Sequence, residues 1–324
     1  MRRRAFITLI GGAAAAWPLA ARAQQPMPLV GFLSSVSPEP FLLGAIHRGL
    51  AQLGYVERRN LAIEYRWAED HYERLPALAA GLVELRVDLI IAAGGVLAAK
   101  AAKDATTTIP IVFSNGSDPV RFGLVTSINR PAGNVTGVTQ FSNEITPKRL
   151  GLLHEIVPKA DTVGTLINPN NPNAESDVAD VQAGAATLGL TVEVLRARTE
   201  QELEGVIASF AKRAGGVLLV NADASFNSWR RRLISLAARH AVPAMYPSRE
   251  FAEEGGFISY GIDRLEAHRL AGTYAGRILK GERPADLPVQ SPTKFDLVIN
   301  LKAAKALGID IPPMLLARAD EVIE

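Results

Sequence analysis

The chain has 324 residues, of which 48% are apolar and 21% charged, a mixture typical of a folded globular protein and not of a disordered one. Its 35 basic and 33 acidic residues give a net charge of +2, and there is no cysteine. Disulfides, thiolate nucleophiles and cysteine-ligated metals are therefore excluded. A near-neutral chain argues against nucleic-acid binding, and a chain of this length tends to divide into two domains.

The first 23 residues have the sequence of an export signal. Three arginines at 2–4 precede an apolar stretch over 7–20 that is too short to span a bilayer, and small residues at 21 and 23 suit cleavage after Ala23. Removing this segment and its four arginines leaves 31 basic against 33 acidic residues. We predict a cleaved signal peptide over residues 1–23, of the twin-arginine or the general type, and a periplasmic protein.

Short apolar strands then alternate with amphipathic helices. The strands predicted in the first part of the chain are Leu29–Leu33, Leu61–Trp67, Asp88–Ala93 and Ile109–Phe113. Helices are predicted between them, the last one starting near Val96 after Gly94-Gly95. Strand–helix alternation is typical of parallel sheets with right-handed crossovers.

The same order of elements recurs about 133 residues later. The Val-Gly pair at 30 reappears at 163 and Pro110 matches Pro243, each at an offset of 133, while Gly54 matches Gly189 at an offset of 135. The sequence therefore predicts an α/β protein made of two Rossmann-like lobes with parallel sheets, joined by hinge crossings near Gly137 and Gly261.

The predicted lobe boundaries follow from the repeat. Lobe 1 is expected to contain residues 28–138 plus about 263–324, and lobe 2 residues 139–262. The last segment carries a predicted helix, a strand over 295–299 and a final helix, and we expect it to return to lobe 1 after a third crossing near 288–292.

Ligands of open parallel sheets bind beyond the carboxyl ends of the strands, so two such lobes predict a cleft that closes on a small molecule by hinge motion. None of the common phosphate-binding, metal-binding or hydrolase motifs occurs, and the five histidines are scattered. We expect those histidines at helix surfaces or helix ends. We predict no catalytic residue, no metal and no cofactor.

Candidate ligand-binding residues in lobe 1 follow its predicted strands. Ser34 and Ser35 can bind a ligand carboxylate or serve as turn residues, and Gly95 with Val96 begins a helix whose amides attract anions, or forms only a tight turn. Ser114 follows the fourth strand. Asp118 precedes a proline, so it is either a helix cap or the acceptor of a ligand ammonium group.

The candidates at the crossing and in lobe 2 are Thr139, Asn168, Asp223 and Tyr246. Thr139 flanks the first crossing, and the other three occupy the strand ends that the repeat makes equivalent to those of lobe 1. Asn168 stands in a turn-rich segment, so a purely structural role is equally consistent with its position. Tyr246 can supply part of an aromatic wall or belong to the core.

The chain resembles the substrate-binding proteins of ABC transporters whose better-understood members bind tryptophan, tyrosine or phenylalanine. The resemblance spans nearly the whole chain after residue 23. It is carried by Asp88–Gly95, Ile109–Phe113, Asp118–Val125, Pro131–Val138, Ile258–Gly261 and Asn300–Gly308.

The resemblance implies the type I periplasmic binding fold and capture of a small solute, either an amino acid or an aromatic, amino-acid-like compound. It implies delivery to an ABC permease with its ATPase, membrane contact only through that permease, and a monomer that binds no nucleic acid. It would put the ligand carboxylate against Ser34, Ser35 and Gly94–Val96, and the ammonium near Asp118. Two alternatives stay open, namely a periplasmic enzyme that uses Asp118 and Asp223 as a carboxylate pair, and a ligand sensor.

Overall fold

A computed structural model of the protein describes residues 27–141, 145–213 and 215–324, and the predicted signal peptide lies outside them. The described residues form two β-sheets, each covered on both faces by helices that bury apolar side chains against it. The predicted class, α/β with two lobes of largely parallel sheet, is confirmed. In the described part of the chain, no helix combines the length and the apolarity needed to cross a bilayer.

Residues 29–139 form the first sheet with three helices. The strands are β1 (Leu29–Ser34), β2 (Ala62–Trp67), β3 (Leu89–Ala93), β4 (Ile111–Asn115) and β5 (Val135–Thr139). The helices are α1 (Pro40–Gln52), α2 (Leu75–Glu84) and α3 (Val96–Ala105). All neighbouring strands are parallel, in the order β2-β1-β3-β4-β5, so their carboxyl ends share one edge of the sheet.

Residues 146–262 repeat this arrangement. The strands are β6 (Thr162–Ile167), β7 (Thr191–Arg196), β8 (Gly216–Val220), β9 (Ala244–Tyr246) and β10 (Ile258–Ile262). The helices are α4 (Thr146–Ile156), α5 (Ala174–Leu188), α6 (Glu202–Phe210), α7 (Ala224–Ser228), α8 (Arg230–Arg239) and α9 (Arg249–Glu253). The order β7-β6-β8-β9-β10 reproduces that of the first sheet, as the offsets in the sequence predict.

The remaining residues are shared between the lobes. Helix α10 (Arg264–Leu279) packs on α1, and Gln290 lies beside β5, accepting a hydrogen bond from the Thr139 amide at 2.8 Å. The chain then enters the second lobe. The elements formed there are β11 (Phe295–Asn300), α11 (Leu301–Ala306), α12 (Pro313–Leu316) and β12 (Glu321–Ile323).

The prediction that residues 295–324 return to lobe 1 is wrong. Strand β11 pairs antiparallel with β10, so that Phe295 stands opposite Ile262, and β12 then pairs with β11. The chain leaves β10 and re-enters β11 at the same end of the sheet, and this requires the antiparallel direction. The apolar pattern of a strand does not specify which sheet edge it joins, and the sequence therefore could not assign it.

Helices α1 and α10 touch through glycines. A Cβ atom on Gly272 would lie 2.1 Å from the carbonyl oxygen of Ile46, and one on Gly49 would lie 2.0 Å from that of Arg269. Only glycine allows backbones to approach this closely. This contact determines how α10 is positioned along α1.

We predict that Gly272→Ala lowers the free energy of unfolding by about 1–3 kcal/mol or more, because the added methyl group forces the two helices apart. Gly81→Ala is the matched control. Gly81 lies inside α2 with no atom within 4 Å of an added Cβ, so alanine there should be neutral or stabilise by about 0.5–1 kcal/mol. Urea unfolding of both variants measures the difference, and equal midpoints would contradict the close contact.

Candidate functional site

A cleft of about 970 Å³, including the part open to solvent, lies between the two lobes. Its walls contain residues from the segments that follow β1, β2, β3, β4 and β5 in the first lobe and β6 and β8 in the second. This is the position expected for ligands of parallel sheets, at the carboxyl ends of the strands.

The loops after β1 and β3 form one polar wall. Gly94 and Gly95 have φ values of +75° and +116°, and Ser35 Oγ donates a hydrogen bond to the carbonyl of Gly94. A Cβ on Gly94 would lie 2.7 Å from Ser34 Oγ, so the two loops touch. Helix α3 begins directly after Gly95 without a side-chain cap, and its first amides therefore stand free of side-chain acceptors beside the cleft.

The end of β4 adds polar groups to this wall. Ser114 and Asn115 line the cleft, and Ser114 Oγ and Asn115 Nδ2 are buried without a hydrogen-bond partner among the described residues. Buried polar atoms are normally paired, because an unpaired one costs about 1–3 kcal/mol. These two atoms are therefore candidates for contacts with a bound molecule.

Asp223 is the acidic group that the second lobe contributes to the cleft. It caps α7, since its Oδ1 accepts hydrogen bonds from the amides of Ser225 at 2.9 Å and Phe226 at 3.3 Å. Asn171 donates to Oδ2 at 2.8 Å and Asn168 to Oδ1 at 3.3 Å. Burial raises the pKa of Asp223, and these donors oppose the rise. The second lobe thus presents a buried carboxylate to the cleft.

Apolar and aromatic side chains line the side of the cleft near α1 and β2. Phe32 and Trp67 contact each other, with ring centroids 5.0 Å apart. Leu42, Leu43 and Ile46 extend this surface along α1. A molecule that places an apolar group here removes it from water, at about 25 cal/mol per Å² of buried area.

Two side chains of α10 also reach the cleft. Arg264 forms a buried ion pair with Glu39, with Nη2 2.9 Å from Oε2, and lies 3.7 Å from Glu250 of the second lobe. His268 is buried, and its Nδ1 lies 2.8 Å from the carbonyl oxygen of Arg264. Burial, and then the charge of Arg264, lower the pKa of His268 to about 4.

Six of the ten predicted site residues line the cleft, namely Ser34, Ser35, Gly95, Val96, Ser114 and Asp223. The sequence analysis did not identify Glu39, Tyr72, Arg264 or His268, which also line it. His268 in particular is buried, whereas we expected it at a helix surface or a helix end. Its signal was the four-residue spacing that it shares with Arg264 and Gly272, which puts all three on one face of α10.

The other four predicted residues lie outside the cleft wall, each for a local reason. Asp118 caps a turn, accepting from the amides of Val120 at 2.8 Å and Arg121 at 3.2 Å. Thr139 is buried and donates to the carbonyl of Ser117 at 2.8 Å.

Asn168 and Tyr246 are the two that belong to the second lobe. Asn168 donates a hydrogen bond to Asp223 and is not one of the residues that line the cleft. Tyr246 is buried in the core and stacks on Phe251, with ring centroids 4.7 Å apart. Of the carboxylate pair that the enzyme hypothesis requires, Asp223 lines the cleft and Asp118 does not. Among the residues described, no group of three or more His, Asp or Glu side chains is arranged to hold a metal ion.

The two lobes contact each other beside the cleft. Ser225 of the second lobe donates to Asp70 Oδ1 at 2.5 Å and lies 2.9 Å from the Tyr72 hydroxyl. Asn173 Nδ2 donates to Ser117 Oγ at 2.6 Å. These bonds join residues of opposite lobes, so the structure is a closed form.

The sequence profile described as "ABC transporter substrate binding protein" matches residues 41–323. The chain belongs to this family. It is 28% identical over 262 residues to a protein from Clostridioides difficile named "Tyrosine-binding protein", covering 81% of this chain and 75% of that protein. The predicted identity as a substrate-binding protein is thereby confirmed, and proteins of this kind bind small solutes and work with permease components.

Three solved structures are similar over 91–92% of this chain and 99% of their own. A conserved domain protein from Vibrio cholerae is 29% identical with a TM-score of 0.84. An ABC domain from Streptococcus pneumoniae in complex with L-Trp is 27% identical with a TM-score of 0.81. A ligand-free, open substrate-binding protein from Clostridium difficile is 26% identical but has a TM-score of 0.64. The chain described here thus has a higher TM-score to the structure with L-Trp than to the ligand-free, open one, although the two sequence identities are nearly equal. This difference agrees with the hydrogen bonds between its lobes.

A cysteine pair tests closure, because the natural chain has no thiol. We predict that the double variant Ser117→Cys/Asn173→Cys forms a disulfide under mild oxidation, since the two side chains meet when the lobes close. The oxidised protein should then have a smaller radius of gyration in small-angle X-ray scattering than the reduced protein, which is free to open. Each single variant is a control and should keep one radius under both conditions. Failure to cross-link, or equal radii, would contradict hinge closure.

Proposed function

We propose that this substrate-binding protein captures an α-amino acid with an apolar or aromatic side chain in the cleft. The observation that carries the proposal is the separation of three surfaces in one cavity. Free helix amides and hydroxyls lie on lobe 1, a buried carboxylate lies on lobe 2, and an aromatic and aliphatic surface lies beside them. An amino-acid zwitterion has the matching groups, a carboxylate, an ammonium and a side chain.

Ser34, Ser35, Gly95 and Val96 are the proposed partners of the ligand carboxylate, with Ser114 beside them. The amides at the start of α3 carry the positive end of the helix dipole, which favours an anion by about 0.3–1 kcal/mol. The glycines let the ligand approach the backbone because they have no Cβ. This wall therefore favours a carboxylate without supplying a charged side chain.

Asp223 is the proposed partner of the ammonium group, in place of Asp118. Of the two, Asp223 faces the cleft while Asp118 is engaged in a turn. The buried carboxylate of Asp223 gains most from a cation, since burial disfavours its charge. Asn168 and Asn171 hold the carboxylate in one orientation, which reduces the entropy lost on binding.

The relatives support the same class of solute. One related protein is named for tyrosine, and another was solved with L-Trp. Both are below 30% identity to this chain, so they support the chemical class of the ligand and not one particular amino acid. Phe32 and Trp67 beside the cleft are consistent with an aromatic side chain.

The proposal includes location and partners. Residues 1–23 have the features of a cleaved export signal, and the protein then acts in the periplasm as a monomer that delivers its solute to an ABC permease and its ATPase. It acts without catalysis. The cleft-lining carboxylates of the described chain are Glu39 and Asp223, and the ion pair with Arg264 engages Glu39. A sensor role would use the same cleft and differs only in the membrane partner.

Matched ligand analogues test the proposal directly. We expect L-tyrosine, L-tryptophan or L-phenylalanine to stabilise the processed protein in a thermal-shift experiment, because a ligand that binds only the native state raises its apparent stability. Compounds that lack the amino group, such as 3-phenylpropionate, or that carry an amide in place of the carboxylate, should have little effect. Asp223→Asn should weaken binding of the amino acid about 10- to 100-fold, as expected for a lost charge-assisted hydrogen bond.

Asp118→Asn is the matched control for Asp223→Asn. Asparagine caps helices as well as aspartate does, so both variants should retain their caps. The Asp118 variant should bind within about twofold of the wild type, a difference below 1 kcal/mol. Equal losses in both variants, or equal binding of the analogues that lack the amino group, would reject the proposed site.

The affinity should also depend on pH. Binding of an ammonium favours the ionised form of Asp223, so the affinity should fall as the pH is lowered through the pKa of this carboxyl. Because burial raises that pKa, the fall should begin at a higher pH than for an exposed aspartate. Isothermal titration calorimetry between about pH 7.5 and pH 5 measures the dependence. Asp223→Asn should remove it, and a flat profile in the wild type would contradict an ionised Asp223 as the partner.

A further inference from the structure

His268 lines the cleft, and one of its two ring nitrogens is a hydrogen-bond acceptor. Its Nδ1 lies 2.8 Å from the carbonyl oxygen of Arg264, which carries no proton, so Nδ1 is the atom that donates. The ring is neutral at ordinary pH, because burial and Arg264 lower its pKa to about 4. In a neutral imidazole with a protonated Nδ1, Nε2 holds a lone pair. No described residue donates a hydrogen bond to this atom.

The position of His268 follows from the contact of the two helices. Gly272, one turn further along α10, touches the backbone of Ile46. His268 and Arg264 continue the same face of α10 toward its start. On this face of α10, glycine occupies the position where the two helices touch, and large polar side chains occupy the positions nearer the cleft. His268 lines the cavity together with Ile46 and Leu42 of α1.

Two of the neighbouring charged side chains, Glu39 and Arg264, form an ion pair with each other. Both carboxylate oxygens of Glu39 accept hydrogen bonds from Arg264 Nη2, at 2.9 and 3.3 Å. Arg264 Nη1 lies 3.7 Å from Glu250. Nε2 of His268 is an acceptor on this apolar side of the cavity, while Arg264 Nη1 is a buried donor without a hydrogen-bond partner among the described residues.

We infer that His268 is a specificity-determining residue, whose Nε2 accepts a hydrogen bond from a donor on the aromatic ring of the solute. A phenol hydroxyl and an indole N–H are such donors, and a plain phenyl ring has none. The inference rests on the proposed function and deepens it, since the carboxylate and ammonium contacts are the same for every amino acid. Selection among aromatic side chains must come from the apolar part of the cavity.

Matched ligand pairs test this inference. L-Tyrosine is compared with L-4-fluorophenylalanine, which replaces the hydroxyl by fluorine, and L-tryptophan with 3-benzothienylalanine, which replaces the indole N–H by sulfur. We expect the wild type to bind the donor-bearing member of at least one pair about five- to tenfold more tightly, the value of one net hydrogen bond. Calorimetry of the processed protein gives the affinities.

Substitutions at residue 268 then assign the preference. In His268→Leu, the two members of that pair should bind with nearly equal affinity. The affinity for the member without a donor should change less than about twofold. His268→Gln should keep part of the preference, since its amide oxygen can accept near the position of Nε2. His240→Leu, at the end of α8 in the other lobe, is the control and should keep the full ratio.

The outcomes separate the inference from the proposed function. Equal affinities within both ligand pairs in the wild type overturn the role of His268, while the proposed amino-acid binding stands. This comparison does not depend on whether a variant folds. A preference that survives His268→Leu also overturns it. Failure of all four amino acids to bind rejects the proposed function, and this inference with it.

Discussion

The structure depends on one constraint, the parallel direction of neighbouring strands in each duplicated sheet. In a parallel sheet all strands end at the same edge, so every loop that follows a strand lies at that edge. Both sheets have the same order of their first five strands, and their strand-end loops face each other. The cleft is therefore a consequence of the repeat, and its two walls come from segments that are far apart in sequence.

Each lobe contributes a different electrostatic character to the cleft. Lobe 1 offers amides at the start of α3 and small hydroxyls, while lobe 2 offers the carboxylate of Asp223. A carboxylate that is buried without a charged partner is costly, and four hydrogen-bond donors offset only part of that cost. A cationic group in the cleft would offset the remainder. The proposed site couples closure to binding in this way, because the groups proposed to bind the carboxylate and the ammonium of the solute belong to opposite lobes.

The repeat and the strand-end rule together predicted much of the fold and six of the residues that line the cleft. Offsets near 133 residues identified the two lobes, and strand ends identified Ser34, Gly95 and Asp223. The errors have physical causes. The apolar pattern of β11 suits the edge of either sheet, so the sequence did not show that this strand pairs with β10 in the second lobe. Asp118 and Asp223 both follow a strand and both cap a turn or helix, and only the three-dimensional direction of each loop separates them.

His268 shows a different limit of sequence reasoning. Strand-end arguments find residues that contact the constant part of a ligand, because loops at the sheet edge are positioned by the backbone. The part of a ligand that varies lies deeper, against helices, where the deciding residue is one side chain on a helical face. In α10 that face includes Arg264, His268 and Gly272 at four-residue spacing, and the glycine fixes how near the histidine stands to α1. In the role proposed for His268, substitution at residue 268 changes which solute fits while the amide wall, Asp223 and the interlobe bonds remain as they are. The proposed division of the cleft thus separates the groups that bind any amino acid from the α1–α10 side, where the solute is selected.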